Sequence, residues 1–175
     1  MLAEPIHYDL RPVEPGDDLF LFTLFALTYQ PNYKLQLWNI DAQRAFLYQQ
    51  FLDQEASFRA TYPTAVEYVI EHKRKWVGRL IIRRTDFEIR VVDLVLLPEF
   101  QHTDLRETVL QDILHNSERM RLPVRLHAEA DNPLKQLADH LGFTELEKHG
   151  PYWFMEWRFP QNKGSEYATT SVSGV

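Results

Sequence analysis

The run from Phe87 to Leu114, FEIRVVDLVLLPEFQHTDLRETVLQDIL, constrains the fold of this chain more than any other stretch. It reads as a buried strand, a stop at Pro98, a polar turn and an amphipathic helix. That helix carries Leu105, Val109, Leu110, Ile113 and Leu114 on one stripe. A strand that feeds a helix N-terminus is a common frame for an anion site, because the first backbone N–H groups of the helix have no intrahelical partner and face outward. The turn itself, Gln101-His102-Thr103-Asp104-Leu105-Arg106, has no glycine and carries an acid. Frame and turn therefore point in different directions.

The rest of the chain supplies elements to pack around that unit. Ile6 to Val13 alternates as a strand, and the acids of Pro15-Gly16-Asp17-Asp18 are placed to cap a helix over Leu19 to Tyr29. That helix is apolar on nearly every side, which predicts burial. A loop with Pro31 and Asn32 follows. Asp41 is the expected cap of a second helix running to about Tyr62 before Pro63, with Phe46, Phe51 and Phe58 near helical spacing. The period then changes. Ala65 to Ile70 and Trp76 to Arg84 read as strands joined by the charged turn Glu71 to Lys75, and Phe87 to Leu97 is a longer third strand. A helix over Asp104 to Met120, a strand over Val124 to Glu129 and a helix over Pro133 to Leu141, stopped by Gly142, come next. Phe143 to Glu147 and Tyr152 to Phe159 form a closing hairpin around His149-Gly150-Pro151. This order predicts an α/β (α+β) fold, a mixed sheet of about seven strands with helices on both faces, in one domain over 1–160. The polar tail over 161–175 is expected to be disordered.

Composition narrows the class. A chain of 175 residues with 45% hydrophobic and 13% aromatic residues can bury a sizeable core. A net charge of −6 disfavours a general nucleic-acid partner, which needs a basic face to displace counterions. No window has the roughly 18 continuous apolar residues of a membrane span. Glu4, Asp9, Glu14, Asp17 and Asp18 make the first residues unlike a secretory signal. The absence of cysteine excludes disulfide and thiolate chemistry. Cytoplasmic residence is the default expectation. The seven histidines are scattered, so no metal site is expected.

Leu94-Val95-Leu96-Leu97-Pro98-Glu99-Phe100, then turn and helix, then Arg125 to Glu129, Asp131-Asn132-Pro133 and His140-Leu141-Gly142-Phe143 occur in this order. With Leu10-Arg11-Pro12 at the start and Tyr152 to Trp157 at the end, the series resembles the GNAT superfamily of acyl-CoA-dependent N-acyltransferases. The likeness spans about Ile6 to Phe159. It implies a splayed central sheet, in which a strand matching Asp93 to Leu97 parts from one matching Val124 to Glu129. It also implies that the pantetheine arm of acetyl-CoA lies in the gap, along Val95, Leu96 and Leu97. On the same likeness the diphosphate is wrapped by Gln101, His102, Thr103, Asp104, Leu105 and Arg106, with Asn132 also in the cofactor site. Oligomeric state is left open, a homodimer included.

Two positions depart from the family pattern. Glycines are expected where Asp104 and Arg106 stand, because phosphates approach the backbone there too closely for a Cβ. Asp104-Leu105-Arg106-Glu107 is instead the sequence of a capping box, which would put the protein's own acid in the anion site. Arg106 either grips a phosphate or is a solvated helix residue. The tyrosine that protonates the leaving thiolate in many members falls at Ala138, which transfers no proton.

Three residues are candidates for chemistry. Asp93 sits in the apolar VVDLVLLP and is either a base of raised pKa or the partner of an arginine such as Arg90 or Arg125. His127 and Glu129 share one strand face and could deprotonate an amine, or simply form a polar face. Tyr29, Tyr33, Trp38, Tyr152, Trp153 and Trp157 are candidate walls of an acceptor pocket. The resulting expectation is an N-acetyltransferase that moves an acetyl group from acetyl-CoA to a small-molecule or peptide amine. The alternatives are a degenerate GNAT-like binding or regulatory module with weak or no acetyl-CoA binding, and a pocket for a different anionic ligand read by Arg106.

Overall fold

The computed structural model describes residues 6–29 and 35–159. The Pro31–Asn32 loop, Tyr33 and the tail from Pro160 lie outside the described residues. The elements are β1 (Asp9–Pro12), α1 (Asp18–Tyr29), α2 (Ile40–Thr61), β2 (Val66–His72), β3 (Lys75–Arg84), β4 (Ile89–Leu96), α3 (Leu105–Met120), β5 (Val124–Glu129), α4 (Pro133–His140), β6 (Thr144–His149) and β7 (Tyr152–Trp157). One seven-stranded sheet runs in the order β1-β2-β3-β4-β5-β7-β6. All neighbours are antiparallel except β4 and β5. This is the mixed α/β sheet that the element order predicts.

Each sheet face buries against its own helices. On one side the apolar stripe of α3 and Leu134 and Ala138 of α4 meet Leu94, Leu96, Leu126 and Met155. On the other, Leu21 and Phe25 of α1 pack with Leu47 and Phe51 of α2. Contrary to expectation α1 is not buried all round: Leu19 is 68% and Leu27 44% exposed, because only one stripe of it meets α2 and the sheet. Two cap assignments also change. Asn39, not Asp41, caps α2, accepting from the amide of Ala42 at 2.8 Å. The carboxylate of Asp17 turns back to Arg11 and to the amide of Glu14. Among the described residues no helix is long and apolar enough to cross a membrane.

The feature that shapes the site is where β4 stops pairing with β5. Only Ile89–Val124, Arg90–Arg125 and Val91–Leu126 are paired. A bulge follows: Ile82 opposes Val91, but Ile81 opposes Asp93, leaving Val92 as the extra residue. Bulges bend the strand and increase its local twist. Beyond it β4 stays with β3, down to Gly78 opposite Leu96 and a bond from the amide of Leu97 to Val77 O at 2.8 Å. Gly78 is required by this closeness, since a Cβ there would collide with Val95 O and come within 2.6 Å of Leu96 Cδ2. Gly78→Ala is therefore expected to destabilise the fold by about 1–3 kcal/mol, the usual cost of overpacking. Urea unfolding at fixed pH measures it; an unchanged midpoint would show that β4 has room to move.

Candidate functional site

From Val92 onward β4 has no ladder partner on its β5 side, while His127, Ala128 and Glu129 of β5 pair only with Phe154, Trp153 and Tyr152 of β7. The two strands therefore diverge and leave a V-shaped gap, with Asp93, Val95 and Leu96 along one edge and His127 to Glu129 along the other. The gap opens toward the turn before α3. A short 3-10 turn, Pro98–Phe100, carries the chain across, and Gln101 folds back to donate to Leu96 O at 3.3 Å.

The capping box does not form. Asp104 stands at the N-cap of α3 but makes no side-chain cap bond, and the Glu107 carboxylate accepts from Gln111 at 2.9 Å instead. The reason is backbone conformation. Asn39 and Asn132, which cap their helices through the side chain, sit in extended backbone with ψ 158 and 133, whereas Asp104 has ψ 3. A near-helical backbone does not aim a carboxylate at the third amide. Thr103 occupies part of this place: its hydroxyl donates to Phe100 O at 2.7 Å and accepts from the amide of Leu105 at 3.4 Å. Among the described residues the amides of His102, Asp104, Arg106 and Glu107 have no acceptor. The positive end of the α3 dipole is left open to an anion.

Arg106 is not solvated, as a surface helix residue would be. It is 8% exposed, makes no hydrogen bond or ion pair among the described residues, and its Nε is buried without a partner. Burial alone pushes its pKa below the ordinary value. Asn132 uses its side chain to cap α4 through the amide of Leu134 at 2.8 Å. Ala138 is fully buried against the sheet and Asp139 pairs with Lys135 at 2.8 Å, so no acid takes the tyrosine's place on α4.

Asp93 pairs with neither Arg90 nor Arg125. Its Oδ2 accepts from Nη2 and Nε of Arg79 on β3, at 2.7 and 3.1 Å. The bulge sets Asp93 on the face toward α2, where Arg79 also lies. Nη1 of Arg79 reaches Glu55 of α2 at 2.5 Å and Glu67 of β2 at 3.2 Å. One buried guanidinium thus holds three carboxylates from three elements. Burial works against the charge of Arg79, but Asp93, Glu55 and Glu67 outweigh it and raise its pKa. Burial also raises the carboxyl of Glu67, against the pull of Arg79. Tyr29, bonded to Gln54 at 2.5 Å, closes this end, and burial pushes its phenol up to about 12. Arg79, Glu55 and Glu67 escape a sequence reading that follows Asp93. An arginine inside WVGRLII was the available signal, since it needs a buried partner as much as Asp93 does.

Beyond β4 the same face carries a second, arginine-rich cluster. Glu88 accepts from Arg83, Arg90 and Arg125, at 2.6 to 3.2 Å. Glu156 accepts from Arg125 and Arg158. Burial works to raise the Glu88 carboxyl, but bonds from Arg90, Arg83 and Arg125 hold it down at about 2. Arg90 lies over the Phe154 ring at 4.8 Å, and His127 stacks on that ring at 4.9 Å. His127 is exposed; burial of its ring first, then Arg90 and His149, lower its pKa, so it is neutral at pH 7. Glu129 is also exposed on this edge. Of the aromatic candidates, Tyr29 lines a small cavity with Phe25, Arg79 and Val95, while Trp153 and Trp157 pack against the core on the opposite side. Trp38 contacts Phe46 at the α2 entrance. Among the described residues no group of three or more His, Asp or Glu is placed to hold a metal ion.

No protein-family model and no curated protein sequence matches the chain. Solved structures do. The PaiA N-acetyltransferase of Thermoplasma acidophilum in complex with coenzyme A superposes with a TM-score of 0.63 at 14% identity, over 88% of this chain and all (100%) of the other. An acetyltransferase of Thermus thermophilus gives 0.61 at 18% identity, covering 89% of this chain and 99% of its own. A GNAT family acetyltransferase of Elizabethkingia anophelis with acetyl-CoA bound gives 0.56 at 10% identity, covering 90% and 100%. The chain has the fold of the GNAT acetyltransferases.

Two substitutions test the charge clusters. Arg79→Met strands three carboxylates in the interior, and a loss of about 3–5 kcal/mol in urea unfolding is expected, the usual cost of removing one partner from a buried ion group. A loss under 1 kcal/mol would show the cluster to be solvated. Glu88 has a folded pKa below its ordinary 4.5, so its contribution is full above that pH and drains away as pH falls toward about 2. Glu88→Gln should flatten that acid limb while leaving the rest of the stability profile parallel. Thermal melts from pH 6 down to pH 2 read the difference.

Proposed function

We propose that the protein is an acyl-CoA-dependent N-acyltransferase that moves an acetyl group directly from acetyl-CoA to a primary amine. The observation that carries this reading is the gap between β4 and β5, which leads to an uncapped α3 N-terminus. A pantetheine arm lies along the unpaired edge of Val95, Leu96 and Leu97. The open amides of His102, Asp104, Arg106 and Glu107, backed by the helix dipole, receive the diphosphate without any glycine. Arg106, the second residue of α3, brings to that turn a guanidinium that has no internal partner among the described residues and so is free to pair with a phosphate.

In the transfer the amine nitrogen attacks the thioester carbonyl carbon, whose oxygen is polarised by a strand amide near Leu96. The attacking nitrogen loses a proton to His127, which is neutral at pH 7 and open to the gap, directly or through water toward Glu129. Asp93 serves less well as a base, because Arg79 already binds its carboxylate twice. The carbon–sulfur bond then breaks. With alanine at 138 the thiolate takes its proton from water, which slows turnover without preventing it.

The alternative, a degenerate GNAT-like module with weak or no acetyl-CoA binding, keeps Ala138 and the missing turn glycines in its favour but loses the capping acid, because Asp104 does not cap α3. Calorimetry with acetyl-CoA is expected to give saturable binding with Kd below about 100 μM. Arg106→Met should weaken that binding about tenfold yet raise the urea midpoint of the free protein, since an unpaired buried guanidinium opposes folding. Absence of any acetyl-CoA heat from the unmodified protein would overturn the acyltransferase reading.

A further inference from the structure

We propose that the acceptor is a bipolar molecule, a primary amine that also carries a carboxylate, bound across β4 with its acid on Arg125 and Arg83 and its amine toward Asp93 and Glu67. This rests on the acyltransferase reading and specifies the substrate class of the same site.

The two clusters share one sheet face and carry opposite surpluses. On the β2–β4 side one buried guanidinium, Arg79, serves three carboxylates, Glu55, Glu67 and Asp93, with only the exposed Arg59 added at 3.7 Å from Glu55, a negative surplus of one. Around the paired ends of β3, β4, β5 and β7 four guanidiniums, Arg83 of β3, Arg90, Arg125 and the exposed Arg158, share two carboxylates, Glu88 and Glu156. Those two carboxylates are saturated. Both oxygens of Glu88 accept twice, and the oxygens of Glu156 take Arg125 and both arms of Arg158. Donors nevertheless remain: among the described residues Nε of Arg83 is buried with no hydrogen-bond partner, and Nη2 of Arg125 makes no hydrogen bond. Buried donors left unpaired are costly, and a carboxylate matches a guanidinium fork.

Position fits the chemistry. Arg90 and Arg125 are opposite each other at the closed end of the V, and His127 follows on the same face. Glu88, Arg90 and Glu156 are buried, but part of each cluster stays reachable: the side chains of Arg125 and Arg83 are 29% and 25% exposed, those of Glu67 and Asp93 23% and 16%. In a chain of net charge −6 a local positive surplus of two will focus on anions, while the neighbouring negative surplus attracts an ammonium. The amine arrives protonated beside Asp93 and must give up that proton before attack. Arg90 and Asp93 are three residues apart on β4, about 7–10 Å along a bulged strand, which sets the spacing of amine and acid.

The test uses acetyl-CoA, thiol release and four amines of one chain length: ε-aminocaproate, its amide, hexylamine and hexamethylenediamine. The unmodified protein should turn over ε-aminocaproate with kcat/KM at least about tenfold above the amide. Arg125→Gln should bring that ratio toward one, with Arg83→Gln as second variant if the first unfolds early in urea. Equal rates for acid and amide, preference for the diamine, or a ratio unmoved by either variant would overturn the proposal. Calorimetry separates the two readings. A protein that binds ε-aminocaproate but not acetyl-CoA keeps the bipolar site and loses the acyltransferase. A protein that binds acetyl-CoA and neither binds nor acetylates ε-aminocaproate loses the bipolar site alone.

Discussion

Everything functional in this structure depends on β4 being held by β3 after it has let go of β5. Pairing with β5 ends at Val91–Leu126, and a bulge at Val92 turns the strand away. The strand does not fray, because β3 follows it down to Gly78 and Val77, where a side chain would block the approach. Hydrophobic burial under α3 fixes the same segment from the other face, through Leu94 and Leu96. The result is an unpaired strand edge inside a packed domain. Such an edge is normally a liability, and here it is protected by facing a second strand too far away to pair.

The bulge also decides where charge goes. Without it the side chains of β4 would alternate without interruption; with it Asp93 lands beside Arg79 and the core residues Leu94 and Leu96 stay under α3. Two ion clusters then divide the other face, one short of arginine and one short of carboxylate. Desolvation is offset in each by several bonds per charged group, so they pin α2 and the strands in register. Their unequal composition gives the face a polarity that a purely structural network would not need.

Element types were legible because the hydrophobic period changes clearly between the two early helices and the strands that follow, and because Pro98, Pro63 and Gly142 stop their elements where expected. The strand over Val124–Glu129 is identical in prediction and structure. Caps were less legible. Asp41 and Asp104 both have the residue type of a cap, but capping depends on ψ at that residue, which its neighbours set. The exposure of α1 is hidden for a similar reason: a wholly apolar helix says nothing about how many of its sides will find a partner. For the candidate site, the unusual residues were visible as unusual. Asp93 in an apolar strand, an arginine at a glycine position and alanine at 138 all stand out.

The sequence by itself determined the element order, the mixed sheet and the strand-turn-helix frame that resembles acyl-CoA binding, because these follow from local period, stop residues and motif order. It could not decide what the charged residues do. Asp93 and Arg79 are fourteen positions apart and meet through a bulge; Glu55 comes from a helix on the far side of two turns. Whether Asp104 fills the anion site or leaves it open turned on one backbone angle, and whether Arg106 is solvated or buried turned on how α3 sits against the sheet. Only the tertiary structure settles such questions, since pairing and burial of charge are long-range properties that neighbours in sequence do not set.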